Sequence, residues 1–160
     1  MLLKKKSGFK SIQMIEDDIR YGFNKIMSQN ERIYHFTISD TGINSVEELR
    51  FILTNKIFNR MYKDYKVSFE RINYLFVIEY PEKVSRGNFI PDSCEVHTHI
   101  VLSTSLLPEQ VNFYIKTNLK KYDVFHERID KRNDKYNFVN YLLKQKELFT
   151  DSNYNYKILS

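Results

Sequence analysis

Two kinds of periodicity alternate along this chain, and their order constrains the fold more than any other feature. Runs with strand character fall at Arg32–Asp40, Val67–Glu79 (clearest at 74–79), Cys94–Ser103 and Asp123–Ile129. Between them lie two stretches whose apolar residues recur at helical spacing. Val46, Leu49, Leu53 and Ile57 follow Ser45, an N-cap residue with Glu47 and Glu48 in the first turn, and this helix is expected to end near Tyr62. Val111, Ile115 and Leu119 follow Pro108, which suits a first helical turn. The order β-α-β-β-α-β predicts an α+β fold: a ferredoxin-like antiparallel sheet with helices on one face and the other face free for a site. A further helix precedes this core at 9–29, with Ile12, Ile15, Ile19, Phe23 and Ile26 on one stripe, and another follows it at Asp134–Phe149. Residues 80–93 carry Pro81, Gly87 and Pro91 and read as a loop. The polar, tyrosine-rich tail 150–160 has no evident periodicity, and the whole of 1–160 reads as one domain with its core at about 32–148.

Composition narrows the function classes. A net charge of +5 favours a polyanionic partner without requiring one. No apolar run approaches the roughly 20 residues of a membrane span. A secretory leader is not expected, because Lys4-Lys5-Lys6 interrupts the start. Cys94 is the single cysteine, so no internal disulfide can form. These features predict an intracellular protein. The chain has no Gly-x-x-x-x-Gly-Lys-Ser/Thr loop, so an ATPase is not expected in it.

The chemistry concentrates in two places. In Glu95-Val-His97-Thr-His99-Ile100, strand alternation turns His97 and His99 to one side, roughly 7 Å apart along the strand. Two imidazoles so placed can converge on one cation, and Mn or Mg would also want an oxygen ligand. Glu79 ends the preceding strand, which should pair antiparallel with the histidine strand, and is the first choice for that oxygen. Glu95, on the histidine side of its own strand, is the alternative. In Asn137-Phe-Val-Asn-Tyr141-Leu-Leu-Lys144-Gln145, the buried stripe is Phe138, Val139, Leu142 and Leu143. Tyr141 lies roughly 130° from its centre, so the core does not need it. Lys144 shares its general face, and a cation beside a phenol favours the phenolate. His35 reads as a satisfied polar group of the first strand and His126 as a residue behind the ligands. Tyr34 and Phe36 could stack nucleic-acid bases. Tyr136 lies about 140° from Tyr141 and does not form a two-tyrosine pair with it.

Taken together, Phe36-Thr-Ile-Ser39, Val96-His97-Thr98-His99 and Tyr141-Leu-Leu-Lys144 resemble the three ordered motifs of HUH (His-hydrophobe-His) endonucleases of the rolling-circle replication initiator type. Thr98 and Ser39 depart from the usual residues at their positions. The resemblance implies a metal-dependent DNA endonuclease and strand transferase, with His97, His99 and Glu79 as metal ligands. It implies Tyr141 as nucleophile, forming a 5′-phosphotyrosine link to single-stranded DNA at a replication origin, and Lys144 as its catalytic partner. Helicase and polymerase would be separate host or viral proteins, and a homodimer is allowed. Single-tyrosine transposases of small insertion sequences, in which Gln145 would supply a ligand, are the alternative within the superfamily. A non-catalytic ferredoxin-like nucleic-acid-binding module is the alternative outside it.

Overall fold

A computed structural model describes residues 10–29, 31–65, 73–81, 94–130, 135–149 and 155–159. Helix α1 spans Ile12–Met27 and is capped by Ser11, whose side chain accepts the Met14 N–H. Strand β1 is Arg32–Ser39. Asp40 and Gly42 take positive φ as the chain turns. Ser45 then caps α2 by accepting the Glu48 N–H, as the sequence predicts. Helix α2 is one continuous rod: α-helical over Val46–Phe51, π-helical over Ile52–Phe58, and α-helical again over Asn59–Tyr65. Strands β2 (Asn73–Glu79) and β3 (His97–Thr104) follow. Helix α3 runs Pro108–Asn118, and the Gln110 side chain reaches back to accept the Leu107 N–H. Strand β4 is Asp123–Arg128 and helix α4 is Lys135–Leu142. After a turn at 143–145, a 3₁₀ stretch covers Lys146–Phe149, so the expected last helix is shorter and broken. The expected strand residues 67–72, the loop 82–93 and the basic tail Lys4–Lys6 lie outside the described residues.

The sheet is antiparallel in every pairing and ordered β4-β1-β3-β2-β5. Its first four strands carry the order expected of a ferredoxin-like α+β fold. The fifth, β5 (Tyr156–Leu159), comes from the tail that showed no sequence pattern and pairs with β2. Asn155 extends that pairing, its carbonyl accepting the Ile78 N–H.

Helices cover both faces of the sheet. Strand alternation sends Phe36, Ile38, Phe76, Ile78, Ile100 and Leu102 to one face, where α2 and α3 supply Leu49, Leu53, Ile57, Phe58, Val111 and Ile115. It sends Ile33, Leu75, Val77 and Val101 to the other, against Ile15, Ile19 and Phe23 of α1 and Val139, Leu142 and Leu143 of the α4 segment. The expectation of a free face is therefore corrected. The apolar stripe of α1 requires a partner, and this second face is the one available. Gly22 permits the close approach: a Cβ there would meet Ile158 of β5 at 2.8 Å. Among the described residues, no helix is long and apolar enough to cross a membrane. Tyr34 and Phe36 are buried in the core, which removes both from any role in stacking bases.

Candidate metal centre

Antiparallel pairing of β2 with β3 sets Glu79 directly opposite His97 and Val77 opposite His99. Opposed residues share a face, so the carboxylate and both imidazoles are brought to the same end of the same face. Glu79 Oε1 lies 3.2 Å from His97 Nε2 and 3.1 Å from His99 Nε2. One ligand atom from each of the three lies within 4.8 Å of the others, close enough to bind one metal ion. Glu95 is not part of this cluster.

The donor set fits a divalent cation. Metal–ligand bonds of about 2.1 Å at right angles place two donor atoms about 3 Å apart, close to the two separations seen here. Glu79 is fully buried, and its second oxygen, Oε2, has no hydrogen-bond partner. A buried carboxylate oxygen left unpaired is costly unless something cationic completes it. Two nitrogens and an oxygen suit a Mn-like ion and a wider range of transition metals.

The electrostatics agree with an ionised Glu79 beside a neutral His99. Burial pushes the Glu79 carboxyl up, but contacts with His97 and His99 and the nearby charge of Lys144 outweigh it and bring it down to about 2. Burial pulls His99 below the ordinary imidazole value, only partly opposed by Glu79. It does the same to His35, against the pull of Glu127.

Helix α4 brings the other two expected residues to this cluster. Tyr141 is 43% exposed, as its off-stripe position predicts. Its hydroxyl lies 3.5 Å from His99 Nε2. Lys144 Nζ donates to Glu79 Oε1 at 2.6 Å and sits 3.6 Å from the centre of the Tyr141 ring. The lysine therefore touches both the carboxylate and the phenol. Gln145 is directed elsewhere: its amide donates to the Tyr80 carbonyl at 2.7 Å and accepts the Tyr80 N–H at 2.9 Å. It pins the end of α4 to the end of β2 and does not join the ligands.

His35 is the satisfied polar group of β1 that the sequence suggests, and it, not His126, is the histidine that stands behind the cluster. His126 is exposed and faces the α2–α3 side, against the Phe36 ring. His35 is buried and reaches the site, its Nε2 3.1 Å from His99 Nδ1. Thr37, opposite His99 in the β1–β3 register, places Oγ1 3.1 Å from the same Nδ1. The signal for both was the parity of β1: His35 and Thr37 share a side with the ligands once the register is known.

Fold and site together define a ferredoxin-like α+β domain carrying a His–His–Glu cluster able to hold a metal ion, with a tyrosine and a lysine against it. No protein-family model and no curated protein matches the chain. Among solved structures it is similar to the one described as the crystal structure of the hypothetical protein ORF119 from Sulfolobus islandicus rod-shaped virus 1. That likeness has a TM-score of 0.53 and 20% identity, covering 81% of this chain and 94% of the viral one. At that identity it is a likeness of fold.

Proposed function

We propose that this chain is an HUH-type endonuclease that nicks and rejoins single-stranded DNA, initiating rolling-circle replication. The observation that carries this reading is the position of Tyr141. Tyr141, which α4 presents off its buried stripe, has its hydroxyl 3.5 Å from a nitrogen of the His–His–Glu cluster. Half exposed there, it is open to a substrate. Glu79 Oε1 is met there by both histidines and by Lys144.

His97, His99 and Glu79 would hold the ion, and an ion bound there supplies Lewis-acid polarisation of the scissile phosphate. Tyr141 Oη attacks phosphorus and gives up its proton to solvent. The bond from phosphorus to the 3′ oxygen breaks, and that oxygen leaves as a 3′-hydroxyl after taking a proton. The DNA is left joined through its 5′ phosphate to Tyr141. Attack by a 3′-hydroxyl reverses the step, so rejoining needs no nucleotide triphosphate. Lys144, in contact with the Tyr141 ring, can steady charge on the phosphate. The orientation of Gln145 toward Tyr80 weighs against the transposase alternative, in which that side chain would be a ligand.

The test is incubation with a pool of single-stranded DNA of randomised sequence and Mn, followed by denaturing electrophoresis. The expected product is a protein–DNA adduct that disappears with chelator. Cleavage without an adduct would make the protein a hydrolytic nuclease. Binding without cleavage across the pool would make it a non-catalytic binding module.

A further inference from the structure

Behind His99 lies a second, continuous chain of polar groups. Strand β1 sits between β4 and β3, so Glu127, His35, Thr37 and His99 all fall on one face. Glu127 Oε1 is 3.2 Å from His35 Nδ1, and His35 Nε2 is 3.1 Å from His99 Nδ1. Thr37 Oγ1 is 3.1 Å from each of those last two nitrogens. Both rings are almost wholly buried, and Phe138 packs edge-on against His35 with ring centres 4.6 Å apart. The outer end of the chain, Glu127, is half exposed.

Counting protons along this chain gives it a direction. Each neutral imidazole carries one N–H. An ionised Glu127 can only accept, so it holds the His35 proton on Nδ1. That leaves His35 Nε2 as an acceptor. The His99 proton is then favoured on Nδ1, where it donates to His35 Nε2 or to Thr37 Oγ1. His99 Nε2 is left with a free lone pair facing Glu79 and His97. Were His35 turned to the other tautomer, its bare Nδ1 would face a carboxylate. On the other side of His99, Glu79 Oε1 competes for the same proton, because it favours an N–H at Nε2. Two carboxylates thus pull on the His99 proton from opposite ends, Glu79 directly and Glu127 through His35.

We infer that His35, anchored by Glu127, is the positioning residue that fixes the tautomer of His99 and turns its Nε2 lone pair into the cluster. The inference rests on reading Glu79, His97 and His99 as a metal site. Partners of this kind behind a ligating histidine typically change metal affinity by about ten- to hundredfold.

The experiment reads the tautomer and the affinity separately. Imidazole ¹⁵N NMR on metal-free protein reports where His99 carries its proton. Mn titration calorimetry reports affinity. In the wild type, His99 should hold a substantial Nδ1–H population. His35→Leu, which cannot accept, should move it toward Nε2–H and weaken Mn binding by about tenfold or more. His35→Gln, whose amide oxygen can accept, should restore much of both. Glu127→Ala, at the exposed end, should shift the His99 tautomer in the same direction as His35→Leu and serves as the reading if that variant does not fold. An unchanged His99 tautomer in His35→Leu or Glu127→Ala would overturn the inference, as would equal Mn affinity in the wild type and His35→Leu. A wild type that shows the expected tautomers but binds no Mn would instead remove the metal reading of the cluster.

Discussion

Replacing Glu79 by Gln tests the electrostatic heart of this site without reference to DNA. The side chain is fully buried, and the change removes its charge while keeping its shape. Its carboxyl is lowered from 4.5 to about 2 by its neighbours. At about 1.4 kcal/mol per pKa unit, this corresponds to on the order of 3 kcal/mol favouring the ionised form in the folded state. A folded-state value below the unfolded one stabilises the protein above the unfolded pKa, and that stabilisation is lost as pH falls through the folded value. In chelator, the variant should therefore be less stable than the wild type by on the order of 3 kcal/mol near pH 7. The gap should begin to close below about pH 4.5, with roughly two-fifths of it remaining at about pH 3. Urea unfolding at a series of pH values, comparing the two proteins, measures this directly. Equal stability at pH 7 would refute the idea that Lys144 and the histidines hold a buried carboxylate ionised, as would a gap that does not narrow in acid. Adding Mn should then stabilise the wild type by mass action and leave the variant almost unmoved.

Other perturbations separate the roles of the neighbours. Lys144→Met removes a cation from Glu79 and should raise Mn affinity, by up to about tenfold because the lysine is partly solvated, while slowing adduct formation; unchanged or weaker Mn binding would show that Lys144 does not compete for the carboxylate. Gln145→Ala strips both partners from the Tyr80 backbone at a buried position and should cost about 2–3 kcal/mol, read as a fall in Tm; a loss below about half a kcal/mol would mean that water replaces the clamp. Tyr141→Phe should change stability by no more than about half a kcal/mol, still bind single-stranded DNA, and form no covalent adduct; an adduct in that variant, mapped by intact-mass spectrometry, would remove Tyr141 as nucleophile.

Local pattern carries some parts of this structure and not others. His97 and His99 are legible as a pair because alternation along one strand fixes their common side. Glu79 is legible because β2 and β3 are consecutive antiparallel strands, so the end of one meets the start of the other. Tyr141 and Lys144 follow from helical spacing within one short element. His35 and Thr37 do not follow in this way. They meet His99 across 64 and 62 residues of chain, and the β1–β3 register that aligns them is written in no local pattern. Strand β5 is four residues long, too short for alternation to distinguish it from a tail. The covering of the second sheet face was hidden for a related reason. The stripe of α1 says that it must pack on something, but not on which face.

That covering explains how a short helix can place Tyr141. Helix α4 has only eight residues, too few to be stable alone. It is held from several directions at once. Arg20 of α1 donates to Asn140 at 3.0 Å, and Lys146 pairs with Glu16 at 2.7 Å. Gln145 is bonded to the backbone at the end of β2, one residue beyond Glu79. Val139 and Leu142 are buried against the sheet. The anchors sit next to Tyr141 in sequence on both sides, while Tyr141 itself remains half exposed. The N-terminal helix outside the βαββαβ core thus has a role the core alone does not supply. It clamps α4 over the end of β2, so that the sheet holding the three candidate ligands also sets the distance from them to the tyrosine hydroxyl.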